Sequence, residues 1–155
     1  MATRHWLMKT EPETFSIADL ARVGTEPWTG VRNLMARNFM RAMKVGDEVL
    51  FYHSSCKPPG VAGLARVERA GIVDPTQFDT ASEYFDARST RDEPRWDCVE
   101  VSYVATLPHY VSIDRMRRER GLRAMMLWKW SRLSVQPVTA AQYAKIVALG
   151  QTAAA

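Results

Sequence analysis

Flat aromatic rings and long cations, the two side-chain types that nucleic-acid recognition needs most, crowd together in residues 28–55, WTGVRNLMARNFMRAMKVGDEVLFYHSS. Trp28 stands beside Gly30 in a turn that leads into a helix start, where free backbone N–H groups favour an anion. A tryptophan in such a turn is expected to be exposed. Asn33, Arg37, Arg41 and Lys44 fall at i, i+4, i+8 and i+11, along one side of that helix. Phosphates need cations and a base needs an aromatic wall, and this stretch offers both. The stripe is equally what a solvated helix face looks like, and for any single Trp of the five the core is the ordinary place. Arg115, Arg117, Arg118, Arg120 and Arg123 form a second cationic cluster open to the same two readings. Two such clusters flanking an aromatic-lined cavity would make a phosphate-binding rim.

Other chemistries find less support. His53-Ser54-Ser55-Cys56 puts one His and one Cys at a ligand-like spacing, but zinc needs two more soft ligands. His5 and His109 are isolated and Cys98 lies far along the chain, so no metal is expected. Cys56 with His53 as a nucleophile pair lacks an orienting third group. The chain has no Walker A loop, GxGxxG, GxSxG or HExxH, so no cofactor is expected and nothing argues for an enzyme. Two alternatives stay open: an enzyme acting on a nucleotide with His53 or Glu11 as general base, and a pocket for a free modified nucleoside or nucleotide.

The elements that must position these residues follow from periodicity and turn chemistry. Residues 5–9 read as a short strand stopped by Pro12. Ser16 and Asp19 mark a helix start and Gly24 its stop, with Phe15 as a hydrophobic staple. Leu34, Met35, Phe39 and Met43 predict a helix over 31–43, and a strand over 48–54 follows the Val45-Gly46-Asp47 turn. Phe51 and Tyr52 alternate on that strand, so one of them must leave the main core or line a cavity. A strand over 61–70 contains Gly63, which marks a bulge or a close approach. Residues 74–94 form a long polar loop carrying Phe78, Tyr84 and Phe85. Residues 96–107 alternate as a half-buried strand that Pro108 is expected to end. A basic helix from Ser112, a short apolar helix over 124–130, a strand over 133–138 and a final helix from Thr139 to about 149 complete the chain.

The result is one α+β domain over residues 1–150, with five or six mostly antiparallel strands in a curled sheet or barrel and a frayed tail at 151–155. At 155 residues the chain can bury a real core, and 46% hydrophobic with 25% charged residues is ordinary globular composition. A net charge of +4, pI near 9.3, favours an acidic partner. Of 21 cationic residues 16 are Arg, the type suited to bidentate phosphate or base contacts. No apolar run approaches the roughly 20 residues that span a bilayer, so no membrane partner is expected. Two cysteines are read as reduced thiols of a cytoplasmic protein, or a nuclear one in a eukaryote.

Several segments together resemble one family. Trp6-Leu7-Met8-Lys9-Thr10-Glu11-Pro12, Trp28-Thr29-Gly30-Val31-Arg32-Asn33 and Ala36-Arg37-Asn38 are similar to the signature of EVE-domain proteins. Val45-Gly46-Asp47, Phe51-Tyr52-His53-Ser54, Pro94-Arg95-Trp96 and Arg132-Leu133-Ser134-Val135-Gln136-Pro137-Val138 continue it in order. Many relatives have Ser where Thr10 stands and Gly where Ser131 stands. The resemblance implies a PUA-like small β-barrel, related to YTH domains, with helices around it. It implies a non-catalytic module that binds DNA or RNA through one modified base, such as a modified cytosine. Carried over motif by motif, the base pocket would draw on Trp28, Val31, Arg32, Asn33, Tyr52, His53, Ser54, Leu133, Ser134 and Gln136. Lys9, Thr10 and Glu11 would lie at its edge, Asn33, Ser134 and Gln136 would meet the base edge, and Arg32, Arg37, Arg41 and Lys44 would hold phosphates.

Overall fold

Short apolar runs between turn residues become six strands of one sheet: β1 His5–Thr10, β2 Thr25–Pro27, β3 Glu48–His53, β4 Gly60–Val73, β5 Asp97–Ser112 and β6 Val135–Val138. The structure, a computed structural model, describes residues 2–153. The strand order is β2-β5-β4-β3-β1-β6. β1 and β3 run parallel and the other four pairs antiparallel. The α+β class and strand count match the expectation, but the sheet is open and the expected barrel is not formed. Closure would require β2 to pair with β6, and each is short and carries a proline, Pro27 or Pro137. Proline has no N–H for a ladder and belongs on edges, which is where both strands lie.

Both faces of the sheet are covered, which is why β3 is apolar on both sides. One face packs Trp6, Met8, Phe51 and Val99 beneath α1 (Ile17–Val23) and α2 (Leu34–Ala42). The other packs Leu7, Leu50, Tyr52 and Val111 with α3 (Ile113–Arg117), α4 (Met126–Lys129) and α5 (Ala140–Gly150). Phe51 and Tyr52 are therefore both buried, in opposite cores.

Local chemistry sets the boundaries. Ser16 and Asp19 make a reciprocal capping box for α1, and Thr139 with Gln142 does the same for α5. α2 starts three residues later than predicted because the Asn33 side-chain oxygen accepts the Ala36 N–H at 2.9 Å, making Asn33 the cap. β5 does not stop at Pro108. Its pairing with β4 slips between Val61 and Gly63, from Val111 to Thr106, so Pro108 sits in a bulge with no ladder partner to satisfy. Gly63 is a close approach as expected: a Cβ there would lie 2.5 Å from Ile17 Cγ1 and 2.6 Å from the Ala105 carbonyl. Of the tail read as frayed, Thr152 and Ala153 accept hydrogen bonds from the buried Arg115, and residues 154–155 lie outside the described residues.

The start of the sheet is fastened by one carboxylate. Asp47, 4% exposed, accepts from Trp6 Nε1 at 2.9 Å, the Lys44 amide at 3.0 Å and the Arg4 amide at 3.1 Å. Asp47→Ala strands these donors and is expected to cost about 2–4 kcal/mol in urea unfolding, with an unchanged m-value. A loss under ~0.5 kcal/mol, the size of an ordinary surface change, would contradict this role.

Candidate nucleic-acid interface

The site grows from the point where β2 runs out. Trp28 N–H donates to the Val99 carbonyl at 2.8 Å, so the β2–β5 ladder continues one residue past Pro27. Side chains two apart on an extended strand share a face, which puts Glu26 and Trp28 side by side. This corrects the expectation of an exposed Trp28. The ring is 8% exposed and stands edge-on to Phe51, 5.6 Å between centroids at 88°. The turn is peripheral, but the ladder aims its side chain inward.

Beyond Trp28 the chain reverses at Gly30, whose φ of +84° suits glycine. Asp74, fully buried, receives this turn. Its Oδ2 accepts from the Gly30 amide at 2.8 Å and Arg32 Nη1 at 3.0 Å, and its Oδ1 accepts from the Thr76 amide and hydroxyl. Burial opposes the charge on Asp74, but the hydrogen bonds from Thr76, Gly30 and Arg32 outweigh it and hold the carboxyl below its ordinary value. Arg32 also donates to Thr76 Oγ1 at 3.0 Å and the Tyr84 carbonyl at 2.8 Å. It is engaged with its own chain rather than turned out to phosphate. Tyr84 in turn lies against Gly30, where a Cβ would sit 2.7 Å from the ring.

The 74–94 loop is ordered by polar groups more than by its aromatics. Buried Gln77 donates to the carbonyls of Asp74 and Trp96, both at 2.7 Å, and accepts from Ser89 and the Trp96 amide. Asp86 accepts from Trp96 Nε1 at 2.8 Å and pairs with Arg95. The Trp96 hydrogen bond, with further ones from Arg88, lowers its carboxyl to about 2.

Together these segments line an open cavity of about 390 Å³, within the ~300–1,000 Å³ typical of small-ligand sites. Trp28, Val31, Arg32, Asn33 and Ser134 line it, with Lys9, Thr10 and Glu11 along one side. An adjoining hollow of about 680 Å³ shares Lys9, Thr10, Glu11 and Ser134 and adds Tyr52, Ser54 and Arg132. Three expected residues line neither. His53 lies behind the wall, its Nε2 accepting the Ile17 amide at 3.1 Å, and burial pushes its pKa down. Leu133 is a core residue, and the wholly buried Gln136 donates to the Leu133 carbonyl at 3.0 Å. The expected phosphate stripe is turned back onto its own chain where the long loop enters β5: Arg37 donates to the Arg95 carbonyl at 2.8 Å and Arg41 pairs with Asp97, while Lys44 stands exposed past the end of α2.

The cavity also draws on residues the sequence did not single out for it. Phe15, the residue before the α1 cap, stands 6.4 Å from Phe51 between ring centroids and lines the cavity. Tyr84, in the sequence a loop aromatic like Phe78 and Phe85, closes on Gly30 and lines the cavity. Glu26 left no signal, because a three-residue strand is too short to show alternation. Lys9, between the two hollows, donates to the Ser131 carbonyl at 2.5 Å and lies 5.4 Å from the Tyr52 ring centroid. Desolvation lowers its pKa to about 8.

Two outcomes follow from these charges. Asp74 has a depressed folded pKa, so its stabilisation is full above the ordinary 3.8 and is lost as pH falls through the lower folded value. Asp74→Asn should therefore be less stable at neutral pH and flatter in acid unfolding below pH ~4, whereas wild-type behaviour would contradict the anchor. At pH near 8 Lys9 is partly neutral, so mass-spectrometric mapping after brief acylation should find it modified ahead of exposed Lys44, Lys57 and Lys129. Lys9 reacting last would contradict its desolvation.

The EVE domain family model matches residues 4–149. Thymocyte nuclear protein 1 of Mus musculus is 38% identical to this chain, covering 97% of it and 75% of the mouse protein. The Homo sapiens protein is likewise 38% identical, over 94% of this chain and 73% of its own. Among solved structures, a protein from Leishmania major superimposes with a TM-score of 0.93 at 49% identity, covering 97% of this chain and 96% of that one. Human thymocyte nuclear protein 1 (THYN1), crystallised in complex with DNA containing 5-methylcytosine, superimposes with a TM-score of 0.92 at 37% identity, covering 97% and 99%. On a family match that runs almost from end to end, carried on this open six-stranded sheet, the chain belongs to the EVE domain family.

Proposed function

We propose that this chain is a non-catalytic reader that binds DNA by taking one modified cytosine into the cavity beside Trp28, with residues 1–150 acting as one EVE domain. The observation that carries this reading is the shared fold with human THYN1, whose crystal structure contains 5-methylcytosine DNA. The aromatic walls of the cavity supply the physical logic. Extruding a base costs a few kcal/mol of unstacking, which stacking and edge hydrogen bonds offset. Trp28, Phe15 and Tyr84 offer the faces and edges of three rings, and Val31 offers an apolar niche for a methyl group. Asn33 keeps its amide N–H₂ for a base edge, since its oxygen caps α2. Ser134 adds a hydroxyl.

The alternatives receive less support. His53 could serve as general base only by giving up the Ile17 amide, because its Nε2 lone pair already accepts that hydrogen. A pocket for a free nucleoside would leave the positive charge around the second hollow without a purpose. The reading puts the protein wherever its DNA is, the cytoplasm or, in a eukaryote, the nucleus. Trp28→Ala should weaken DNA containing 5-methylcytosine by about tenfold or more and unmodified DNA by less than about threefold, measured by fluorescence anisotropy. Equal losses on both DNAs would place the base elsewhere.

A further inference from the structure

We infer that the second hollow is the track for the sugar–phosphate backbone flanking the extruded base, an inference that rests on the reader function proposed above. The two hollows share Lys9, Thr10, Glu11 and Ser134, so a strand leaving the first enters the second without crossing the core. Two cations line the second, Lys9 and Arg132, against one carboxylate, Glu11. Among the described residues Lys9 meets only the Ser131 carbonyl and the Tyr52 ring, and the exposed Arg132 makes no hydrogen bond or ion pair. A half-buried ammonium with no carboxylate is costly unless an outside anion completes it. Ile113, Ser131 and Arg132 tie the hollow to the 113–132 segment, where Arg117, Arg118, Arg120, Arg123 and Lys129 also stand exposed. Of the two acids there, Glu119 already pairs with Lys145 at 3.2 Å. Arg37 and Arg41, by contrast, are held by the Arg95 carbonyl and Asp97.

The test compares wild type, Arg132→Ala and Arg41→Ala on 5-methylcytosine and unmodified DNA across a salt series. Arg132→Ala should lose several-fold affinity equally on both DNAs and lower the log–log salt slope by about 1, while Arg41→Ala leaves the slope unchanged. An unchanged slope in Arg132→Ala with a reduced one in Arg41→Ala would overturn the track and leave the reader standing. A wild type with no preference for the modified DNA would overturn the reader itself.

The geometry points to Glu26 as the group that accepts a hydrogen bond from the exocyclic amine of the bound cytosine and so rejects thymine. 5-Methylcytosine and thymine carry the same methyl group, so an apolar niche cannot separate them. They differ at the adjacent ring position, where cytosine has an amino donor and thymine a carbonyl acceptor. Glu26 shares a strand face with Trp28, lines the cavity, and has no hydrogen-bond or ion-pair partner for its side chain among the described residues. Desolvation raises its pKa, so the site bears a cost that an amino donor would offset. A bare carboxylate is otherwise misplaced in the wall of a site for a polyanion.

Single-stranded oligonucleotides carrying 5-methylcytosine, cytosine or thymine at one position would be compared on wild type and Glu26→Gln, with the melting temperature confirming that the variant folds. Wild type should prefer 5-methylcytosine over thymine by about tenfold or more, and Glu26→Gln should shrink that ratio to within about threefold while keeping the preference over cytosine. An unchanged thymine ratio in the variant would overturn the role of Glu26 alone. Loss of the methyl preference in wild type would overturn the reader.

Discussion

Asp74 carries the constraint on which the cavity depends. Its two oxygens gather four donors, from Gly30, Arg32 and the amide and hydroxyl of Thr76, in a place with no solvent to replace them. Gly30 and Arg32 belong to the turn that follows Trp28, and Thr76 to the start of the long loop. The carboxylate therefore fixes the distance between the wall that carries Trp28 and the wall that carries Tyr84. Arg32 reinforces the join by reaching the Tyr84 carbonyl. Such preorganisation matters for a base reader, because a flat ring is gripped only where both walls stand ready before it arrives.

The arrangement also explains a division of labour among the cations. Arg32, Arg37, Arg41 and Arg95 bind carbonyls and carboxylates of their own chain: Arg37 and Arg41 hold residues 95–97 against α2, Arg32 reaches the long loop, and Arg95 pairs within it. Among the described residues, the cations of the 113–132 segment, Arg132 included, form no ion pair, and Glu119 of that segment pairs with Lys145 instead. A net charge of +4 is thus unevenly distributed in its availability, and the free part borders the second hollow.

Elements that depend on nearby residues were legible in the sequence. α1 was bounded correctly by Ser16, Asp19 and Gly24 because capping is decided within a few residues. Gly63 was recognisable as a close approach for the same reason. What failed depended on distant partners. Pro108 would end a strand only where the ladder needs an N–H at that position, and the bulge against β4 removes that need. Barrel closure depends on edges that never pair. The helical stripe of Arg37 and Arg41 had the right spacing for phosphates, but spacing does not reveal that the Arg95 carbonyl and Asp97 lie opposite. The family motifs led to Trp28, Val31, Asn33 and Ser134 on the cavity wall, whereas Glu26 and Tyr84 arrive there through a three-residue strand and a long loop that carry no periodicity.

Under the proposed function, the modified base leaves its stack and lodges between these walls. The most direct measurement is NMR of DNA carrying one 5-methylcytosine with a ¹³C-labelled methyl group, bound to the protein. A base lodged there gives a methyl signal displaced by ring currents, with nuclear Overhauser contacts to Trp28 and Val31 in place of those to the neighbouring bases. A bound complex in which the methyl group keeps its contacts within the DNA stack would contradict it.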